Sequence, residues 1–241
     1  MKQLFILFTT FSSLLIQGQE IRSTKKINKI LIGYNFSPDY NYRTLKNNDG
    51  SSSSDVVIKS RNDIEIPKFG FTTGLHVWIN FTNIIGLETG IQFSNKGYKT
   101  KNQDLIYFPP NPGLPTKAKT VYTYQYIGIP LKAKFTVGKS KTRFLSSIGI
   151  MTNFLLHVKQ TTTFEYADGK TEEKKQSATS GFKKVDLSPM ISVGIDYKLT
   201  DKIHLIAEPV FKYGVIKTKD APVKEYLWNA GLNMAFYYGF K

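Results

Sequence analysis

Apolar and polar residues alternate with a period of two along most of this 241-residue chain, and no other feature limits its fold as strongly. Successive side chains of a strand point to opposite faces, so each alternating run predicts a strand with one apolar and one polar face. The stretch YQYIGIPLKAKF, residues 124–135, sets Ile127, Ile129 and Leu131 against Lys132 and Lys134. Eight such runs are present, at 27–36, 66–79, 84–95, 120–137, 142–159, 182–198, 203–216 and 225–240.

The links between these runs alternate between short and long. NFTN at 80–83, GKSK at 138–141 and LTDK at 199–202 are tight, whereas the links at 37–65, 96–119 and 160–181 are long and polar. The link at 217–224 is of intermediate length. Tight turns at one end and long loops at the other are typical of barrels threaded through a membrane, with the long loops outside. We therefore predict an all-β fold, an eight-stranded antiparallel up-and-down transmembrane β-barrel.

The two faces of the predicted strands have different tasks in such a barrel. The apolar face meets lipid, and the polar, glycine-rich face lines a narrow interior. We expect the following side chains to face lipid or to form aromatic girdles at its two interfaces: Ile127, Ile129, Leu131, Phe135, Tyr226, Trp228, Leu232, Phe236, Tyr238 and Phe240. Pro130, Pro189 and Pro209 interrupt predicted strands, and we expect bulges there or interior polar groups that cover unmatched carbonyls.

Charged residues on the interior face form the main candidate site. The predicted lumen charge network comprises Glu88, Lys132, Lys134, Arg143, Asp196, Glu208 and Lys212. Glu88 and Lys134 lie at similar heights on neighbouring strands, so they can meet. A paired network that fills the lumen is the preferred interpretation; a charged constriction that selects ions is the alternative.

The N-terminus reads as an export signal. A lysine precedes an apolar run at 4–16, followed by small and polar residues around Gly18, and that run is too short to span a bilayer. We expect a signal peptide at 1–19 and the barrel domain at 20–241. The chain has no cysteine, which excludes a disulfide-stapled secreted scaffold and a lipoprotein anchor.

The net charge of +15 does not by itself indicate nucleic acid. The lysines are scattered through loops and alternate strand positions, and no basic helix or zinc spacing accompanies them. A basic surface that faces outer-membrane lipid and lipopolysaccharide is the preferred interpretation. We expect a monomer with no nucleic-acid partner.

No catalytic or metal-binding pattern is found. His76, His157 and His204 fall at different places along the predicted strands, where they cannot converge on one nucleophile. DGKTEE at 168–173 lacks the alternating ligands of a calcium loop. We expect no enzyme, no metal and no cofactor. A lipid-modifying barrel enzyme and a soluble lipocalin-like ligand-binding barrel are the alternatives, and eight bulky apolar side chains on the last strand oppose the second.

Two strands carry a family resemblance. YIGIPLKAKF at 126–135 resembles the Tyr-x-x-Ile-Pro-Leu-x-x-Lys strand of the PorT-like outer-membrane β-barrel family of Bacteroidetes, and GLETGIQFSNKGY at 86–98 resembles the strand before it. The resemblance covers essentially the whole mature chain in strand order. It implies an outer-membrane barrel of the size of OmpX with no catalytic signature. The matching motifs themselves say little about function. We expect the function to lie in the loops, in surface interaction, adhesion or a structural role, or, as the resemblance implies, in PorT-like assistance to an envelope or secretion protein partner.

Overall fold

The computed structural model describes residues 29–240, so the predicted signal peptide at 1–19 lies outside the described residues. The elements in chain order are β1 (Ile30–Asn47), α1 (Ser52–Ile64), β2 (Glu65–Asn80), β3 (Ile85–Thr100), β4 (Gln103–Asp104), β5 (Lys117–Val137), β6 (Thr142–Glu165), β7 (Thr171–Ser177), β8 (Val185–Lys198), β9 (Ile203–Tyr213) and β10 (Val223–Phe240).

Eight of these strands close into a ring, which confirms the predicted fold class. Each of β1, β2, β3, β5, β6, β8, β9 and β10 pairs antiparallel with its neighbours along the chain. The first and last strands pair with each other, with Ile30 opposite Phe240, and this pairing completes the barrel. The short strands β4 and β7 add to the loop ends of β5 and β6. Closure leaves none of the eight barrel strands with an unpaired edge.

The two faces of the barrel differ as the alternation predicts. Ile129 is 45% exposed on the outer surface, whereas Lys132 points inward and is 3% exposed. Large apolar side chains from all eight barrel strands, such as Leu75, Ile148 and Phe236, are likewise exposed on the outside. A continuous apolar belt of this extent fits lipid and not water. A lipocalin-like barrel, with its apolar face inward, does not fit this arrangement.

The first strand is longer than predicted, and the link after it is partly helical. Asp39, Asn41 and Arg43 continue the inward-facing positions of β1 beyond the predicted end at 36. The serine-rich segment that reads as a loop forms α1, because the Ser51 hydroxyl caps the helix by accepting a hydrogen bond from the Ser54 backbone N–H. No helix in the described part of the chain is long and apolar enough to cross a membrane.

The predicted bulges at proline are wrong. The register between β3 and β5 is the same on both sides of Pro130, and the register between β8 and β9 is the same on both sides of Pro209. Pro189 stays in register with Ile150 of β6. Each proline therefore costs a local hydrogen bond without inserting a residue.

Bulges occur instead at two other places. One lies between Pro67 and Phe71 of β2, and the other lies where Gln125 and Tyr126 of β5 pair with β6. At the second bulge Leu156 is the extra residue, so inward-facing positions of β6 change from odd to even numbers. Beyond this bulge, Val158 takes an inward-facing position and is 1% exposed.

A matched pair of arginine substitutions tests the outward face. Ile129→Arg should lower the free energy of unfolding by about 2–4 kcal/mol, because the charge is held in hydrocarbon near the bilayer midplane. Ile106→Arg, at a loop residue that is 93% exposed, should be nearly silent. Urea unfolding of both variants in lipid vesicles measures the difference. An Ile129→Arg variant as stable as Ile106→Arg would show that this face does not meet lipid.

Candidate functional site

The lower layer of the interior consists of Glu88, Lys132, Lys134, Arg143, Asp196 and Glu208, close to the short turns. Glu88 is at its centre and is fully buried. Its carboxylate is ion-paired with both Lys132 and Lys134 and accepts a 2.8 Å hydrogen bond from the Tyr237 hydroxyl. Nδ1 of His76 lies 2.7 Å from the same carboxylate. Four groups on three other strands thus converge on one carboxylate.

Two further carboxylates complete the lower layer. Glu208 lies 3.4 Å from Lys132 and accepts hydrogen bonds from Ser192 and Asn233, at 2.7 and 2.9 Å. Asp196 is ion-paired with Arg143 and lies 2.9 Å from Nδ1 of His204. The layer therefore holds three acidic and three basic side chains, all in pairs.

An apolar and aromatic floor closes the interior on the short-turn side of this layer. Its members are Leu31, Trp78, Leu145, Ile206, Ala235 and Tyr237, all buried. The Lys134 ammonium lies 4.4 Å from the centre of the Trp78 ring and 5.2 Å from that of Tyr237, within cation–π range. The floor thus contacts the ion-paired layer directly and leaves little space at this end of the lumen.

The upper layer consists of Arg43, Arg61, Glu65 and Glu225, at the loop end of the barrel. Glu65 lies 2.7 Å from Nε of both arginines, and Nη2 of Arg61 lies 2.6 Å from Glu225. Glu225 also accepts hydrogen bonds from Tyr98 and Tyr124. The layer holds two acidic and two basic side chains.

Helix α1 supplies Arg61, and this arginine fixes the helix to the barrel. Its guanidinium reaches Glu225 on β10 and donates a 2.9 Å hydrogen bond to the Tyr98 hydroxyl on β3. Burial alone would lower the pKa of Arg61, but the hydrogen bonds to Glu65 and Glu225 raise it overall, so the side chain stays charged. Asn62 accepts a hydrogen bond from Arg43, which adds a second attachment.

All seven residues of the predicted lumen network lie in the interior, but only six of them form ion pairs, in two separate groups. Lys132 bridges Glu88 and Glu208, and Arg143 pairs with Asp196, whereas Lys212 joins neither group. Lys212 lies opposite Asn229 and Met190, at a greater distance from the short turns. The sequence does not predict the upper layer, because the first alternating run ends at 36, before Arg43.

The predicted lipid-facing residues all lie on the outer surface. Seven are 37–50% exposed: Ile129, Leu131, Phe135, Leu232, Phe236, Tyr238 and Phe240. Ile127, Tyr226 and Trp228 are partly covered by neighbours. The Trp228 ring contacts Tyr40, Tyr42 and Phe211 on adjacent strands, so it forms part of an aromatic cluster toward the loop end.

The histidines do not share a site. His76 contacts Glu88 and Gln92, His204 contacts Asp196, and His157 lies near Thr179 toward the loops. Within residues 29–240, no group of three or more histidine, aspartate or glutamate side chains is arranged to hold a metal ion. The geometry offers buried, paired charges that can stabilise and fill a barrel.

Comparison with known proteins gives one strong match. Residues 17–220 match the family described as outer membrane protein beta-barrel domain. A search of curated proteins gives no match. Solved structures similar to this chain include Neisserial surface protein A, NspA (11% identity, 88% of this chain and 97% of that chain, TM-score 0.47). OprG from Pseudomonas aeruginosa (14%, 89% and 98%, TM-score 0.45) and Ail of Yersinia pestis (13%, 88% and 100%, TM-score 0.34) are two others.

Removal of one central charge tests the lower layer. Glu88→Gln should lower the free energy of unfolding by about 3–5 kcal/mol, because it leaves the buried Lys134 ammonium without a carboxylate and Lys132 with Glu208 alone. The control is Glu173→Gln, which breaks the exposed 3.4 Å pair with Lys175 and should cost about 1 kcal/mol or less. Urea unfolding in lipid vesicles compares the two. Equal, small effects would contradict a stabilising role for the Glu88 ion pairs.

Proposed function

Because the chain belongs to the outer membrane protein beta-barrel domain family, we propose that it is a non-enzymatic surface protein with a closed lumen and functional loops. It lies in the outer membrane. Closure of the interior at both ends supports the proposal most directly. The floor and the lower layer fill the short-turn end, and the upper layer with Arg61 of α1 occupies the loop end. An eight-stranded barrel has an interior just wide enough for side chains to fill.

The loops offer a surface that the barrel does not need for its own stability. Ile106 is 93% and Phe108 is 100% exposed in the proline-rich segment between β4 and β5. Two fully exposed large apolar side chains on one projecting loop are typical of a contact surface, since loops on a rigid scaffold commonly carry binding residues. Four lysines lie in the strands and link that flank this apolar loop tip: Lys99, Lys101, Lys117 and Lys119. The base of the loop is therefore positively charged.

This surface suits two classes of partner. The apolar loop tip is suited to contact with a protein surface. The positively charged base of the loop is suited to contact with an acidic partner or with the phosphates of lipopolysaccharide. If the protein assists secretion as PorT-like proteins do, a neighbouring envelope protein would bind the same loop. The resemblance at 86–98 and 126–135 supports that version of the proposal.

A conductance measurement tests the closed lumen. The purified protein in a planar lipid bilayer should show no sustained open-channel steps, because paired side chains fill the interior at both ends. A porin in the same bilayer serves as the positive control. Large, stable steps would overturn the closed lumen and would favour the charged constriction of Glu88, Lys132 and Lys134 as an ion selector.

Photo-crosslinking on intact cells tests the loop. Benzoylphenylalanine in place of Phe108 should give a discrete adduct of higher mass, because this side chain is free to touch a partner. The same group in place of Phe81, in the short turn between β2 and β3 and also exposed, is the control and should not give that adduct. Identification of the adduct as protein or lipopolysaccharide decides the partner class. No adduct at 108, or the same adduct at both positions, would contradict the proposal.

A further inference from the structure

The middle layer of the interior carries one more positive than negative charge. We define it as Asp39, Lys68, Lys96, Asp186 and Lys212, which lie between the lower and upper layers. The lower layer is balanced with three charges of each sign, and the upper layer with two of each sign. The middle layer has three lysines and two aspartates, so the surplus is confined to this part of the lumen.

Two of these lysines lack a direct partner. Within residues 29–240, no hydrogen bond or ion pair connects Nζ of Lys96 or of Lys212 to another side chain, and each residue is only 3% exposed. Lys96 lies 5.5 Å from the centre of the Tyr126 ring, and Lys68 donates to the neutral oxygens of Asn95 and Thr123. Every basic side chain of the other two layers has a carboxylate partner.

The aspartates of the middle layer are engaged by other donors. Asp39 accepts hydrogen bonds from the hydroxyls of Ser37 and Thr72. Asp186 accepts from Ser188 at 2.7 Å and from Asn153 at 3.1 Å. Both carboxylates lower the local potential, but neither forms a direct ion pair with a lysine of this layer.

An unsatisfied amide lies directly beside Lys212. Asn229 of β10 is opposite Lys212 of β9 and opposite Asn41 of β1, and Asn41 is opposite Lys68 of β2. Directly opposed residues on one face have Cβ atoms about 4.5–5.5 Å apart. The Asn229 side chain is fully buried, and neither its nitrogen nor its oxygen has a hydrogen-bond partner. Four neighbouring strands thus present two ammonium and two amide groups in one row.

We infer that this row binds one small monovalent anion, which is enclosed as the barrel closes. The ammonium of Lys212 and Nδ2 of Asn229 are the proposed direct donors, and Lys96 adds positive charge. A water molecule can satisfy the donors but leaves a net charge in a low-dielectric interior, which is costly. A single negative charge cancels the surplus of the layer.

Gly231 lies two residues from Asn229 on the same face of β10, and the Asp39 carboxylate occupies the space where a Cβ of Gly231 would lie. An ion with four oxygens beside Asn229 would approach that carboxylate more closely than a single-atom ion would, so a single-atom ion fits better. Chloride is therefore the probe of choice. Loss of a proton from Lys212 would also remove the surplus charge, but stability would then be independent of chloride.

Chloride dependence of unfolding tests the inference. The protein is refolded in zwitterionic detergent, and sodium chloride replaces sodium gluconate at constant ionic strength. The thermal unfolding midpoint should rise with chloride and then level off, because a site that exists only in the folded protein stabilises it by saturable binding. No rise, or a rise without saturation, would overturn the inference and leave water or a neutral lysine in the layer.

Variants separate the site from general salt effects. Lys212→Met should abolish the chloride-dependent rise, since it removes both the donor and the surplus charge, and Lys96→Met is the second variant in case the first does not fold. Lys174→Met, on the exposed β7, should keep the full rise. A chloride response retained in Lys212→Met or in Lys96→Met would overturn the inference. Crystals of the wild-type protein refolded in sodium bromide give a direct readout that needs no variant, because the anion is then present as the barrel closes. An anomalous peak beside Asn229 is expected, and its absence contradicts the site.

Discussion

The interior of this barrel depends on the ion pairs and hydrogen bonds that surround the buried carboxylate of Glu88. A carboxylate in a low-dielectric interior is costly unless charged and hydrogen-bonding groups surround it. Here Lys132, Lys134, His76 and Tyr237 surround it, from three strands other than its own. Those contacts can form only when β2, β3, β5 and β10 are in their native positions, so the ion pairs fix the barrel's internal arrangement as well as its charge.

The outer surface is subject to a different constraint, which is contact with lipid. The constraints on the interior and on the outer surface together explain why apolar and polar residues alternate along the sequence. Lipid requires apolar side chains outside and a closed ladder of backbone hydrogen bonds. The narrow interior requires that polar groups satisfy one another. The lower and upper layers meet that requirement with balanced charges, and closure of the lumen follows from it. We propose that function then resides in the loops, where Ile106 and Phe108 face solvent.

Most of the fold could be predicted from the sequence, because an alternation with a period of two can be recognised within each strand. It does not require knowledge of which strands pair with each other. For the same reason the alternation predicts an inward face for seven charged residues, and these side chains are buried or half-buried. Their partners could not all be predicted. Helix α1 depends on Arg61 reaching Glu225, 164 positions along the chain, and the isolation of Lys212 depends on strand register. The prediction of bulges at the prolines failed because a missing backbone donor need not shift the register; the alternative, that interior polar groups cover the unmatched carbonyls, stays a prediction.

The central claim is that the interior is closed at both ends, and thiol accessibility tests it most directly because the chain has no cysteine of its own. Ser94→Cys places a thiol on the buried face of β3 between the lower and upper layers, and Ser53→Cys places one on the exposed surface of α1. Both variants, folded in lipid vesicles, are treated with a small water-soluble maleimide. The closed interior predicts rapid modification at 53 and none at 94 until the barrel is unfolded in urea. Modification of the folded protein at 94 as fast as at 53 would contradict it.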